Sequence, residues 1–129
     1  MNEPPVILQT KEGIFDLTAS VTKVGQDFVV IIWGGERPHV GAVALAQSRK
    51  SLKDPDKVSA TASVLCLLGH KEDVVVKIVS ERLAAIADRP VAVVAGIHWD
   101  NLQESDFRQI FKNVDRLIQM MEPYLRTPR

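Results

Sequence analysis

The chain lacks several features that would place it in a specialised class of proteins. Its single cysteine, Cys66, excludes an internal disulfide and any zinc site built from several cysteines. The 16 basic residues balance the 16 acidic ones, which argues against nucleic acid or an anionic membrane as a partner. No apolar run approaches the ~20 residues that span a bilayer, and the first residues do not resemble a signal peptide. These absences predict a cytoplasmic protein that binds neither nucleic acid nor membrane.

Three common signatures of nucleotide binding and catalysis are also missing. The chain has no P-loop, no Gly-x-Gly-x-x-Gly fingerprint and no Gly-x-Ser-x-Gly nucleophile elbow. Its 129 residues suffice for one domain with a substantial core and are too few for two ordinary domains. We therefore expect a single domain over residues 1–129, in which residues 1–5 form a loose tail.

The spacing of apolar residues predicts strands in the first half of the chain and a strand–helix–strand unit in the second. Such a unit normally forms a crossover between parallel strands. The predicted fold is α+β: a two-layer mixed sheet of four to six strands with two helices and a late strand–helix–strand crossover. The predicted strands are 6–9, 14–24, 28–33, 40–47, 58–68 and 91–97, and the predicted helices are 71–87 and 103–124.

Two of these strands indicate self-association. The apolar runs at 28–33 and 91–97 are typical of strands that are buried on both faces. Two helices cover only about one face of such a sheet, so another surface must cover the second face. We therefore predict at least a dimer.

All three histidines lie in short motifs that contain glycine and follow apolar runs: His39 within residues 34–41, His70 within 69–73 and His98 within 96–101. Glycine permits a tight turn or the close approach of another group. His70 and His98 end strands that we predict to be parallel, whereas His39 precedes a strand. If that strand runs antiparallel to the other two, all three histidines meet at one edge of the sheet.

The second and third motifs each admit more than one interpretation. Residues 69–71 stand between a strand and a helix, where anions bind, but acidic residues that cap the helix without any ligand would fit equally well. His98 and Asp100 lie two residues apart and point to the same side of an extended chain. That pair fits acid–base chemistry, metal ligation or a hydrogen-bonded loop before a helix capped by Asn101 or Ser105.

The predicted strand at 58–68 has two different faces. Its apolar face, which includes Cys66, is predicted to be buried, so we expect an inert thiol. Its other face begins with Ser59, Thr61 and Ser63, which form either a polar wall of a site or a solvent-facing surface. Alternate alanines at 42, 44 and 46 indicate that a helix, a flat ligand or a partner approaches the sheet closely.

At these motifs the chain resembles the prenylated-flavin chaperone family, the small D-type subunits that accompany UbiD-like aromatic-acid decarboxylases. The resemblance lies in residues 34–44, 59–65, 69–73 and 96–101. Residues 47–51 read Gln-Ser-Arg-Lys-Ser and depart from the Pro-Arg-Pro-Ser pattern of the family. This departure affects any contact that Arg49 makes.

The resemblance implies a homodimer that binds prenylated FMN, or FMN, and delivers it to an apo-decarboxylase without turnover of its own. The alanine face, Trp33 or Trp99 would accept the ring, and the histidines would hydrogen-bond its edge. Cationic and hydroxyl side chains would hold the phosphate and the ribityl chain. The implied cofactor-binding residues are Arg37, His39, Arg49, Ser59, Thr61, Ser63, His70, Lys71, His98 and Asp100.

Two alternatives remain open at this point. One is a small enzyme that uses the histidines as metal ligands or His98 and Asp100 as an acid–base pair. The other is an accessory subunit that clamps a decarboxylase and binds no cofactor.

Overall fold

The chain folds into one six-stranded sheet with two helices. The computed structural model describes residues 3–67 and 72–126. This architecture confirms the predicted α+β fold with its mixed sheet. The elements are β1 (Val6–Gln9), β2 (Leu17–Val24), β3 (Asp27–Gly35), β4 (Ala42–Lys50), β5 (Val58–Cys66), α1 (Asp73–Ala87), β6 (Val91–His98) and α2 (Glu104–Leu125).

The strand order is β1-β2-β3-β6-β4-β5, so the last strand in sequence lies inside the sheet. β3 and β6 pair in parallel, and the other neighbouring pairs are antiparallel. Because β5 and β6 both run antiparallel to β4, they run parallel to each other with β4 between them. α1 connects them, as the predicted crossover requires.

The predicted start of the second helix was wrong in its capping residue. Gln103, not Asn101 or Ser105, precedes α2, and its backbone N–H donates to Asp106 Oδ2 at 2.8 Å. Asn101 instead has a left-handed backbone (φ 57°), a conformation that asparagine tolerates in turns. Neither helix of the described residues is long and apolar enough to cross a membrane.

Both helices pack on one face of the sheet. α1 lies over β4 and β5, where Ala42, Ala44 and Ala46 are buried, so the alternate alanines accommodate a closely packed helix. The side of α1 that faces them carries small residues, Ser80 and Ala84 among them. The apolar spacing in the sequence predicts a buried stripe of Val75, Ile78, Val79, Leu83 and Ile86 on this helix. Val75, Val79 and Leu83 are buried as predicted, but Ile78 is 38% exposed, and Ser80 and Ala84 are buried instead.

The opposite face of the sheet stays open in the single chain. The prediction that β3 and β6 are buried on both faces is wrong at this level, because Ile31 is exposed and Val94 is only half-buried. We refer to this uncovered side of the sheet, which carries Ile31 and Val94, as the open face.

Cys66 is exposed, contrary to prediction, since it ends the edge strand β5.

Candidate functional site

Three chain segments meet where β3 and β6 end and β4 begins. β4 runs antiparallel to β6, so the start of β4 lies at the same sheet edge as the carboxyl ends of β3 and β6. The loop that contains His39 is therefore adjacent to His98, as the predicted strand directions require. In the second motif, Gly69, His70 and Lys71 lie outside the described residues.

The glycines of the motifs allow these segments to touch. A Cβ at Gly96 would overlap the carbonyl oxygen of His39, and a Cβ at Gly35 would overlap that of His98. A Cβ at Gly41 would overlap the carboxylate of Glu72. Gly35 also has φ +94°, where side chains are strained. These glycines therefore permit the close approach of another group, which is one of the two roles predicted for them.

His39 is held from both sides of its ring. Nδ1 lies 2.9 Å from the carbonyl oxygen of Arg37, which only accepts, so Nδ1 carries a proton and donates it. Nε2 lies 2.9 Å from Glu72 Oε1. Glu72 is buried, and its Oε1 also accepts from the backbone N–H of Ile97 at 3.4 Å. The carboxylate thus ties the His39 loop to the end of β6 and the start of α1.

His98 forms a second pair with a carboxylate. Its Nε2 lies 2.9 Å from Asp100 Oδ1, so the two side chains share one side as the spacing predicted. Arg37 donates to Asp100 Oδ2 at 3.3 Å. The hydrogen bond with His98, and to a smaller extent the Arg37 guanidinium, hold the pKa of Asp100 below its usual range.

The two pairs form one group. The rings of His39 and His98 have centroids 6.3 Å apart. We call Arg37, His39, Glu72, His98 and Asp100 the histidine cluster. In the part of the chain that the structure describes, no three His, Cys, Asp or Glu side chains are arranged to hold a metal ion.

An apolar pocket of about 240 Å³ adjoins the histidine cluster. Glu72 lies in both, and Trp99, the next residue after His98, lines the pocket. The volume is slightly below the ~300–1,000 Å³ of typical small-molecule sites, so the pocket suits one ring portion of a larger ligand. Its lining residues are Glu72, Val74, Val75, Ile97, Trp99, Leu102, Phe107, Ile110 and Phe111.

A strained loop supports the aromatic wall of this pocket. Phe15 has a left-handed backbone (φ 53°), which is unusual for a bulky residue, and its ring packs edge-on against Trp99 at 5.1 Å. The buried Asn113 of α2 donates to the carbonyls of Ile14 and Phe15 at 2.8 and 2.7 Å. Asn113 thereby fixes the loop against which Trp99 rests.

Asp16 organises the other side of the same loop. Its carboxylate accepts from Thr10 Oγ1 at 2.7 Å and from the backbone N–H groups of Glu12 and Gly13 at 2.9 and 3.0 Å. Burial raises the pKa of Asp16, but these three hydrogen bonds outweigh burial and lower it below its usual value.

We expect Asp16→Asn to flatten the acid limb of the stability curve. A carboxyl whose pKa is depressed by folding stabilises the native state above its unfolded pKa, and this contribution disappears as the pH falls through the lower, folded value. The wild type should therefore lose this contribution below about pH 4. Asp16→Asn should already be less stable at pH 7, by about 1 kcal/mol. Urea titrations between pH 2 and 7 measure both effects.

The matched control is Asp27→Asn, at an exposed residue beside the turn between β2 and β3. It should change the acid limb less than Asp16→Asn does. Equal pH profiles for the wild type and Asp16→Asn would contradict the assigned role of the carboxylate.

The remaining predicted site residues lie apart from the histidine cluster. Arg49 Nε donates to Thr61 Oγ1 at 2.7 Å, and Thr61 and Ser63 line a separate, more polar pocket of about 250 Å³. Ser59 pairs with Arg49 in the sheet. Arg49 is seven residues beyond Ala42 on β4, which corresponds to ~23 Å of extended strand. One small-molecule pocket within a single chain does not span both groups.

The sequence does not identify three residues of this site, and one prediction needs correction. Glu72 is one of the acidic residues that fit helix capping after residues 69–71, and the helical spacing of Phe107 and Phe111 predicts them as part of the core stripe of the second helix. The two phenylalanines are partly exposed and line the pocket, one helical turn apart. The alanine face does not accept a flat ring, because α1 covers it. Trp33 lies on the half-buried part of the open face, away from that helix.

The fold and the site together define a small α+β protein with a polar cluster and an aromatic pocket at one sheet edge. The chain belongs to the family described as the prenylated flavin chaperone LpdD-like domain, which it matches over residues 11–126. This match confirms the resemblance seen in the motifs. No curated protein matches the chain.

Among solved structures, the chain is similar to one from the crystal structure of a chaperone complex for yeast 20S proteasome assembly. The TM-score is 0.64 at 11% sequence identity, and the alignment covers 97% of this chain and 99% of that one. At this identity the similarity concerns the fold alone.

Proposed function

We propose that this protein binds prenylated FMN, or FMN, at the histidine cluster and the adjoining apolar pocket, and hands the cofactor to a UbiD-like decarboxylase without turnover. The observation that carries the proposal is the direct contact between the two parts. Ile97, His98 and Trp99 follow one another along the chain, and His98 belongs to the cluster while its two neighbours line the pocket.

A flavin matches this arrangement because it is amphipathic. Its ring system has an apolar, methylated end and a polar pyrimidine edge, and its ribityl chain ends in a phosphate dianion. In the proposal the apolar end enters the pocket beside Trp99 and Phe111. His39 and His98 hydrogen-bond the polar edge, and the exposed Arg37 guanidinium attracts the phosphate. His70 and Lys71 remain predicted contacts of the same site.

The hydroxyl row with Arg49 has no place in this single-chain site because of its distance along β4. In the proposal these residues contact the cofactor only if a partner brings them to it. The partners are the decarboxylase and a second copy of the chain, and the proposed location is the cytoplasm.

The proposal is tested by titrating the purified protein with prenylated FMN and with FMN, following flavin absorbance and fluorescence. Wild-type protein should bind at micromolar concentration or tighter. His98→Ala and Arg37→Ala should each weaken binding about tenfold, because one lost hydrogen bond or ion contact costs ~1–2 kcal/mol. Arg116→Ala is the control: it removes an exposed guanidinium from α2, outside the histidine cluster, and should leave binding unchanged.

The apolar half of the site has its own matched pair of variants. Phe111 and Tyr124 are aromatic residues of α2 with similar exposure, but only Phe111 lines the pocket. Phe111→Ala should weaken flavin binding several-fold, whereas Tyr124→Ala should not. A wild-type protein that binds neither flavin, or equal losses in both variants, would contradict the proposed site.

One observation favours an enzyme as the second candidate. The hydrogen bond between His98 and Asp100 gives an imidazole a carboxylate partner, which is the arrangement of many acid–base pairs. The two readings separate in a transfer assay with an apo-decarboxylase. A chaperone raises the amount of active decarboxylase and is recovered without chemical change to the flavin. An altered flavin spectrum that requires His98 would favour the enzyme.

A further inference from the structure

The open face of the sheet is apolar across several strands. Leu65 on β5 is 79% exposed, Leu45 on β4 is 58% exposed and Ile7 on β1 is 59% exposed. Ile31 on β3 and Val43 on β4 are exposed between them. Neighbouring strands place these side chains on the same side, because Val43 pairs with Leu65 and with Val94. Contiguous exposed apolar surface of this kind marks an interaction site.

The open face also carries almost no charge. Between its apolar residues the strands place neutral polar side chains, and the charged residues stand at strand ends, Asp27 at the start of β3 and Arg49 near the end of β4. A surface of this composition has no charge pattern that selects a basic or an acidic partner. It is compatible with itself, because the central apolar residues of two identical faces can meet while the few charged side chains stay at the ends of strands. The neutral polar residues are Gln9, Thr18, Ser20, Thr22, Gln47, Ser59, Thr61 and Ser63.

The size of the open face fits a dimer interface. Six strands at ~4.8 Å spacing give a width of about 25 Å, and all of them except the four-residue β1 have eight or nine residues, which at ~3.3 Å per residue give a similar length. The face therefore offers roughly 650 Å² in projection to a partner. Specific interfaces bury ~800 Å² of accessible surface per partner, and side chains that interdigitate add to the projected area.

We infer that a second copy of this chain docks on the open face, sheet against sheet, and buries Leu45 and Leu65. This inference deepens the homodimer part of the proposed function by assigning its surface. Two sheets that pack face to face interleave their side chains in a layer ~10 Å thick, and the exposed leucines and isoleucines supply such a layer. The second copy completes the burial that the apolar runs of β3 and β6 indicate.

The test compares three forms of the flavin-free protein by sedimentation equilibrium between about 1 and 100 μM. The wild type should have twice the 14.3 kDa mass of the chain. Leu45→Glu places two carboxylates in the interface and should raise the dissociation constant at least ~100-fold. Leu52→Glu is the matched control, because Leu52 is 90% exposed in the turn after β4 and outside the sheet.

Each outcome has a defined meaning. Circular dichroism checks folding, and Leu65→Glu repeats the test on the neighbouring strand if Leu45→Glu fails to fold. A wild-type monomer at 100 μM overturns both the homodimer and its surface. A dimer that survives Leu45→Glu and Leu65→Glu, or that Leu52→Glu also dissociates, overturns the assigned surface alone. A wild-type monomer whose one-to-one complex with a decarboxylase is lost in Leu45→Glu overturns the second copy as the occupant.

Flavin titration of the same variants keeps the two proposals separate. Failure to bind flavin in a wild-type dimer contradicts the proposed function and leaves the surface assignment intact. A wild-type monomer that binds flavin contradicts the surface assignment and leaves the proposed flavin binding intact.

Discussion

Gly96→Ala should disrupt the candidate site more than a methyl group added at any other glycine that the structure describes. The new Cβ would overlap the backbone carbonyl of His39, and no rotation of a side chain relieves a clash with backbone. The His39 loop must move away from β6, which separates His39 from His98. We expect a loss of at least about 3 kcal/mol in the free energy of unfolding, together with loss of flavin binding.

Gly25→Ala is the control for a glycine substitution without steric overlap. Gly25 has φ +63° in the turn between β2 and β3, and nothing lies within 4 Å of a Cβ placed there. Its substitution should cost about 1 kcal/mol from backbone strain alone. Urea melts of the three proteins give the comparison. A Gly96→Ala protein as stable as Gly25→Ala would show that the His39 loop is not held as described.

Gly41→Ala distinguishes an effect on flavin binding from an effect on stability. Its Cβ would overlap the Glu72 carboxylate, which is the far end of a flexible side chain. The side chain should turn away, so that the Glu72–His39 pair breaks while the sheet remains. This variant should therefore affect flavin binding more than stability.

The strands were predictable because their evidence is local and repeats every two residues. The bounds of β1 were predicted to the residue, and the parallel direction of β5 and β6 followed from the strand–helix–strand unit. The direction of β4 was only a condition of the prediction, and its antiparallel pairing with β6 is what brings His39 next to His98. The missing side chain of Gly96 then lets the His39 backbone approach β6.

The helices were harder to orient because the partner surface decides which side is buried. α1 faces a row of alanines, so its small residues pack inward, and Ile78 is left partly exposed. A hydrophobic stripe read from sequence always favours the large residues. For the same reason Phe107 and Phe111 were assigned to the buried stripe of α2. They instead line a pocket together with residues of α1 and the end of β6.

Glu72 was missed for another reason. A carboxylate just before a helix fits ordinary capping, and nothing local indicates that it turns toward His39 instead. Its signal was Gly41, a position where only glycine leaves space for the carboxylate. Such pairs of a glycine and a distant polar group become visible only when the fold is known.

Asn113→Leu should be the most destabilising polar substitution in the described core. Asn113 is 1% exposed, and its amide donates to two carbonyls of the loop that contains the strained Phe15. Leucine has a similar size but no donor, so both carbonyls lose this partner at a partly buried position. Each unsatisfied group costs ~1–3 kcal/mol. We expect a loss of about 3 kcal/mol and a fall of roughly 10 °C in Tm.

The control for Asn113→Leu is Gln109→Leu, which removes only the hydrogen bond from Gln109 Nε2 to Asn113 Oδ1 and leaves both carbonyl bonds. It should cost less than about 1 kcal/mol. Because Phe15 packs on Trp99, release of the loop should also change the Trp99 environment. Tryptophan fluorescence should therefore shift in Asn113→Leu at temperatures below its Tm, and not in Gln109→Leu. Equal stability of the two variants would mean that Asn113 does not hold the Phe15 loop, and that Trp99 is positioned by the pocket alone.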